Sequence, residues 1–429
     1  TEELVRRRGP AGAPAFCKEE GTTMKKPEVL APVGDFERLE AAVEFGADAV
    51  YLGAKTMGMR SAPSNFTWEE LARAVCFAHS RGVKVYLTCN TIPLNREMDQ
   101  AEAFLLEAQN AGVDGVIVAD LGVLMTARRV VPRLPVHIST QAGVVNYATA
   151  TELFRLGARR VVLARELSLE DVKEIRARTP KELEIECFVH GAMCVSFSGR
   201  CLLSNYLTGR DGNRGECAQP CRWRYALMEE HRPGEYYPIE EDSKGTFLLN
   251  AKDLCMLPYL DQLAEAGIDS FKIEGRAKSS YYVAVVTNAY RNGVDLWAKD
   301  PGHYQPPQWL LDEMNKVSHR AYSTGFYFGP PQQGQYYETR GYVREWAVMA
   351  KVTGWEKGML LCSQRNRFFP GDRLEALIPG APTQEVPVTL LMDGEGNVIE
   401  SARHPVMDLK IPFDHPLPPG TLLRKIKEE

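Results

Sequence analysis

Four cysteines lie within 28 residues of one another: Cys194, Cys201, Cys217 and Cys221, spaced C-x6-C-x15-C-x3-C. Thiolates are ligands of both tetrahedral zinc and cubane iron–sulfur clusters. Zinc sites favour tight two-residue knuckles, and none is present, so the wide first spacing favours a cluster over zinc. The bland alternative is four buried, unliganded thiols, which a Gly- and Arg-rich loop is poorly suited to bury. Cys187 reads as a core residue inside a strand. Cys255, after AKDL and placed on a helix before the next strand, is a reserve fourth ligand.

The same loop carries Arg200, Arg210, Arg214, Arg222 and Arg224 against Asp211 and Glu216, with Tyr206 and Trp223 between them. Local positive charge beside aromatic rings suits phosphate contact and base stacking. A solvated arginine-rich loop with internal ion pairs explains the feature equally well. A third set of polar residues recurs just after strand-like runs: Asp35, Lys55, Arg60, Asn90, Asp120, Ser139, Thr140, Gln141, Arg165, Glu166, His190, Lys272, Glu274 and Arg276. Some would pair with one another. Together they describe a polar pocket in which Arg60, Arg165 and Arg276 clamp a small carboxylate through bidentate hydrogen bonds.

Positioning such a set requires a repeated unit. Four segments share a helix end, a Gly turn, a small polar step and an apolar strand: FGADAVYLGA (45–54), AGVDGVIVAD (111–120), LGARRVVLAR (156–165) and AGIDSFKIEG (266–275). Between them lie EVLAPV (28–33), KVYLTCN (84–90), PVHISTQ (135–141) and EIECFVHG (184–191). Gly at a helix C-terminus followed by an apolar run is the grammar of a buried parallel strand. Eight such strands predict an α/β fold, a TIM-like (β/α)8 barrel over 27–296, interrupted by a cysteine-rich insertion at 192–246. Active sites of such barrels sit at the C-terminal ends of the strands. The alternative, an open doubly wound sheet, lacks a Gly-rich dinucleotide fingerprint. Within the insertion, two short strands are expected around Pro233–Gly234. Residues 297–337 read as a Pro-, Gly- and Tyr-rich linker, and 338–429 as a small C-terminal β-barrel domain.

Composition narrows the function classes. The 429 residues are 44% hydrophobic and 25% charged, with net charge −5, so any nucleic-acid partner must be met by a local basic patch. No run approaches the ~18 apolar residues of a membrane span. The opening TEELVRRRGPAGAPAF has no apolar core and is not a signal peptide. Met24 begins MKKPEVLAPVGD, which reads as a natural start, so residues 1–26 are expected to be a disordered leader. These features predict a cytoplasmic protein without disulfides.

The stretches PEVLAPVGDFERLEAAVEFGADAVYLGAK, ECFVHGAMCVSFSGRCLLSNYLTGR with GECAQPCRWRY, and LNAKDLCML with IDSFKIEGRAKSSYYVA resemble peptidase family U32 over roughly residues 27–330. The length resembles the bacterial branch of tRNA 5-hydroxyuridine synthesis. That resemblance implies hydroxylation of the first anticodon uridine, with prephenate as co-substrate, tRNA as partner and a [4Fe-4S] cluster on Cys194, Cys201, Cys217 and a fourth ligand, Cys221 or Cys255. A protein partner of the same family is also implied. Two other functions stay in view. The family name comes from a collagen-degrading activity, for which His190 and Cys194 are the one nucleophile–base pair to be imagined. The third reading is an RNA-binding accessory protein without its own chemistry.

Overall fold

A computed structural model describes residues 25–58, 65–194, 201–212, 216–223, 227–228, 236–237, 241–242, 245–246, 252–329, 345–404 and 406–427. Eight parallel strands close on themselves: β1 (Glu28–Pro32), β2 (Ala49–Gly53), β3 (Lys84–Cys89), β4 (Gly115–Val118), β5 (Val136–Ile138), β6 (Arg160–Val162), β7 (Glu184–Ala192) and β8 (Ser270–Ile273). Closure comes from β8 pairing with both β1 and β7. The helices outside are α1 (Phe36–Glu44), α2 (Trp68–His79), α3 (Ala101–Asn110), α4 (Leu121–Val130), α5 (Tyr147–Arg155), α6 (Leu169–Arg178), α7 (Leu260–Glu265) and α8 (Ser280–Lys299).

Six of these eight helices open on a side-chain cap. Asp35, Thr67, Asp120, Asn146, Ser168 and Ser279 are N-caps whose side chains accept a backbone N–H of the first turn. Such caps stabilise by about 1 kcal/mol each. Gly46, Gly112, Gly157 and Gly267 take positive φ where helices end before β2, β4, β6 and β8, the four Gly turns that the repeated segments predict.

The sheet extends beyond the barrel. Strand Asp253–Cys255 runs antiparallel to β7, and Tyr322–Ser323 adds beside it. Cys255 is thus in a strand rather than on a helix, and it is buried, with burial pushing its thiol up to about 11. Two-residue ladders, Leu227–Met228 with Tyr236–Tyr237 and Glu241–Asp242 with Gly245–Thr246, lie within the insertion.

The expected linker is largely structured. Helix α8 runs on to Lys299, a short helix spans Gln308–Glu313, and Tyr304, Leu310, Leu311, Met314 and Val317 are buried against the barrel layer. These apolar residues arrive singly between Pro and Gly, so no period betrays them. Seven antiparallel strands from Trp346–Glu356 to Leu422–Ile426 form a half-barrel around a second core centred on Val352, Leu360, Phe368 and Leu423. Its edges are Gln384–Pro387 and Met392–Asp393, and the sheet does not close. Buried Arg424 ties it to the barrel layer, donating to Glu313 Oε1 at 2.6 Å and to Glu375. Of the leader expected at 1–26, residues 1–24 lie outside the described residues, as does the segment 330–344.

Candidate active site

Inside the barrel, strand alternation directs Leu30, Ala49, Tyr51, Tyr86 and Ile117 inward as a small apolar cluster. Beneath it lies a charged layer the sequence reading missed. Arg160 Nη1 donates to Glu28 Oε1 at 2.7 Å and to Glu186 Oε2 at 2.8 Å, and Lys272 Nζ donates to Glu186 Oε1 at 2.6 Å. Burial raises the Glu186 carboxyl, but Lys272 and Arg160 outweigh it and hold the group below its ordinary value. Lys272 also lies over the Tyr51 ring, 4.4 Å from its centroid. This corrects its place among the pocket cations. It is 5% exposed, and an interior cation on a parallel strand is tolerated because an anion neutralises it there.

The mouth itself is built around Arg276. Strand β8 ends at Ile273, so Glu274 and Arg276 stand in the turn beyond it rather than on the strand. Arg276 is 3% exposed. Its Nη2 donates to Asn65 Oδ1, and its Nη1 donates to Thr88 Oγ1 at 3.4 Å. The guanidinium reaches across the end of β2 because residue 53 is glycine: a Cβ there would lie 2.3 Å from Nη2. Next to it, Asn90 Nδ2 donates to Ser139 Oγ at 3.4 Å, and Gln141 is buried in the turn that Ser139 caps. Arg165 donates to the Ala192 carbonyl at 2.9 Å and packs over the Phe188 ring. Glu166 and Glu274 are half-buried at the same rim, and Lys55 is exposed. Thr88 and Asn65 are the partners sequence reading did not name; Thr88 was legible as the inward residue two beyond Tyr86.

Three residues read as site groups have other employment. Asp35 and Asp120 cap α1 and α4, accepting from Arg38 N at 3.0 Å and Val123 N at 3.1 Å. Thr140 Oγ1 donates to the Leu163 carbonyl at 3.1 Å. His190 is a further correction. Simple alternation from Glu186 and Phe188 would turn it inward. The pairing of β8 with β7 instead shifts between Lys272 and Ile273, so that Ile273 stands beside His190. A bulge of this kind reverses the facing of the residues beyond it. His190 therefore packs outside the barrel wall among Tyr282, Tyr290 and Tyr322, with ring centroids 5.4 to 6.0 Å away. Burial first, then Lys278 and His319, push its pKa down to about 3. Such a histidine is a poor general base near neutral pH.

The cysteine loop leaves from the C-terminal end of β7, the mouth end. Cys194 and Cys217 are exposed, and Cys201 and Cys221 are half-buried. By contrast, Cys89, Cys187 and Cys362 are buried and burial pushes each thiol up to about 12. Cys217 Sγ accepts the N–H of Gln219 at 3.3 Å. The donor set therefore fits a soft-metal cofactor in its chemistry. It is not gathered: among the described residues no three His, Cys, Asp or Glu side chains converge as a metal site requires. Tyr206 and Trp223 are exposed at 79% and 43%. Arg60, Arg200, Arg214 and Arg224 lie outside the described residues, and Arg210 is exposed.

The model of peptidase family U32 matches residues 34–336, and that of the U32 C-terminal domain matches residues 344–424. The chain belongs to peptidase family U32. It is 38% identical over 406 residues to tRNA hydroxylation protein P1 of Bacillus subtilis, covering 94% of this chain and 96% of that protein. It is 34% identical over 403 residues to tRNA hydroxylation protein P of Escherichia coli, covering 83% and 87%. An uncharacterized protease of Methanocaldococcus jannaschii is 45% identical over 304 residues, 70% of this chain and 73% of that one. The U32 matches include both segments that carry the mouth: Arg276 with Thr88 and Asn65, and the four loop cysteines, all within 34–336. Among the described residues no helix is long and apolar enough to cross a membrane.

Proposed function

We propose that this chain is a cytoplasmic RNA-modifying enzyme that hydroxylates an anticodon uridine of tRNA to 5-hydroxyuridine. The observation that carries the reading is its likeness to tRNA hydroxylation protein P1 along 96% of that protein, second domain included. Chemistry at the barrel mouth agrees with it. An anticodon base is single-stranded and can be splayed into a pocket, where a buried guanidinium and neutral amide and hydroxyl groups would meet its polar edge. Arg276, with Asn65 and Thr88 fixing its orientation, and Arg165 would hold the carboxylates of a small co-substrate such as prephenate, joined by Arg60. Cys194, Cys201, Cys217 and Cys221 would hold a [4Fe-4S] cluster, which when bound supplies one-electron transfer. The chain's own residues do the binding and orienting: Gly53 leaves room for the guanidinium, and Tyr51, Tyr86 and Ile117 close the barrel floor to water.

The peptidase reading loses its one candidate pair, because His190 is buried behind the wall while Cys194 is exposed in the loop. The test is complementation. A bacterial strain lacking its own tRNA hydroxylation protein should regain 5-hydroxyuridine in nucleoside mass spectrometry when given this chain, and should not regain it with Arg276→Ala. No 5-hydroxyuridine with the wild-type chain, expressed folded, would end the reading.

A further inference from the structure

The second domain carries a turn whose exposed cationic and aromatic side chains lie outside its core. It spans Arg365 to Phe369, between strands Met359–Gln364 and Arg373–Leu377. The turn is pinned at every other residue. Gln364 is buried, and its Nε2 donates to the carbonyls of Ala402 at 2.8 Å and Asn366 at 3.1 Å. Asn366 Nδ2 donates to the Val348 carbonyl at 2.7 Å. Backbone N–H groups of Arg365 and Asn366 both reach the Met349 carbonyl, at 2.7 and 3.1 Å. Phe368 is fully buried in the second core, and Phe369 N donates to Asp372 Oδ2 at 2.9 Å.

Between these pins, Arg365, Arg367 and Phe369 are held out into water. Phe369 is 40% exposed, and the Arg367 guanidinium lies 4.9 Å from its ring centroid. Among the described residues, neither Arg365 nor Arg367 enters an ion pair, whereas neighbouring Arg373 is matched by Glu385. Exposed aromatic surface beside unneutralised guanidinium, on a turn whose shape is already fixed, is the composition of a platform for a polyanion with flat bases.

The turn borders the cleft between the domains. Arg365 and Lys427 line this cleft of about 360 Å³, and Glu37 and Ser280 stand on its far side. Those two residues lie in the first turns of α1 and α8. The cleft runs on along α1 past Glu40 and Glu44 to Phe45, with Lys351 also lining it.

We propose that the turn Arg365–Phe369 is a second RNA-docking surface, where Arg365 and Arg367 contact phosphates and Phe369 stacks on an unpaired base, outside the pocket that takes the modified nucleotide. The proposal rests on the tRNA reading above for the identity of the RNA. The full chain is tested with an unmodified tRNA transcript as probe, its Kd measured by filter binding across a KCl series. Replacing both arginines (R365A with R367A) should raise Kd about tenfold or more at 0.1 M salt and reduce the slope of log K against log salt by about two. F369A should raise Kd about fivefold or more with the slope unchanged. Arg373→Ala should alter neither, and the melting temperatures of all variants should match wild type. Unchanged Kd and slope in the arginine and Phe369 variants would overturn the proposal. So would variants that bind tRNA normally but lose an acidic protein partner. A wild-type chain that docks tRNA through this turn yet makes no 5-hydroxyuridine would overturn the reaction and leave the surface standing.

Discussion

Replacing Gly53 by alanine should unseat Arg276 while leaving the barrel intact. Gly53 does not occupy the left-handed region, so alanine is acceptable to the backbone. The added Cβ would meet Arg276 Nη2 at 2.3 Å, Cζ at 3.0 Å and Asn65 Oδ1 at 3.0 Å. Non-bonded heavy atoms rest roughly 3.5 Å apart, so the guanidinium must retreat by about 1 Å. That breaks its bond to Asn65 and the longer one to Thr88. Overpacking a filled interior costs about 1–3 kcal/mol, and a hydrogen bond to a charged group is worth about 1.5–3 kcal/mol. Because side-chain rotation relieves part of the clash, the net expectation is a loss of about 1–3 kcal/mol, together with loss of 5-hydroxyuridine. The cause is separable by a double-mutant cycle in urea. In an Arg276→Ala background the guanidinium is gone and only Asn65 Oδ1, at the end of a side chain then free to shift, stands close to the new Cβ, so Gly53→Ala should cost much less, a coupling of about 1–3 kcal/mol. Additive losses would show that the glycine serves the backbone and not the guanidinium, and the account of the mouth would fail.

Cys201→Ser should lose most of the iron found after anaerobic preparation, whereas Cys362→Ser, buried in the second core, should keep about four irons per chain; stoichiometric zinc without iron in the wild-type chain would refute the cluster. Glu186→Gln should destabilise by about 3–5 kcal/mol at pH 7 in urea titrations, because Lys272 and Arg160 lose their shared anion. The Glu186 carboxyl lies below its ordinary value of 4.5 in the fold, so its contribution is complete above that value and lost as pH falls through the folded one; the variant should show a shallower loss of stability in acid. Arg424→Met should cost about 3–5 kcal/mol by leaving buried Glu313, together with Glu375, to Lys316 alone, while Arg373→Met, whose pair with Glu385 is largely exposed, should change stability by less than about 1 kcal/mol; equal losses in urea denaturation would contradict the burial argument.

The barrel was legible because its signal is redundant. Four helix-ending glycines precede four apolar runs at similar spacing, and each of those glycines takes positive φ in the structure. The capping residues that start the helices were equally visible, but they carry the same side chains as catalytic acids. Asp35 and Asp120 sit at strand ends, where an acid reads as chemistry, and the N–H groups of the following turn claim them instead. Lys272 was misplaced for a different reason. Its inward direction follows from alternation, but its depth depends on Glu186 and Arg160, which come from two other strands. The short helix and strand between 297 and 329 were hidden because single apolar residues between prolines define no face.

His190 shows how one irregularity changes a functional reading. Counting by twos along β7 turns it toward the mouth, four residues before Cys194, and makes a nucleophile–base pair conceivable. The register shift against β8 breaks the count after Phe188. The imidazole then joins Tyr290, whose hydroxyl donates to the Val189 carbonyl at 2.7 Å and lies 3.4 Å from Nδ1. Buried there with its pKa pushed down to about 3, it stays neutral near neutral pH, and its role is to hold α8 and the strand Asp253–Cys255 against the wall. What the mouth retains is a guanidinium, amides, hydroxyls and a loop of accessible thiols. Among the described residues the rim also carries the half-buried carboxylates Glu166 and Glu274, while His190 is not with them. The Arg276 guanidinium, with the amide and hydroxyl that hold it, is a group suited to orienting an anion. The bulge in β7 is thus the structural feature that takes His190 away from the mouth, and with it the one nucleophile–base pair the sequence suggested.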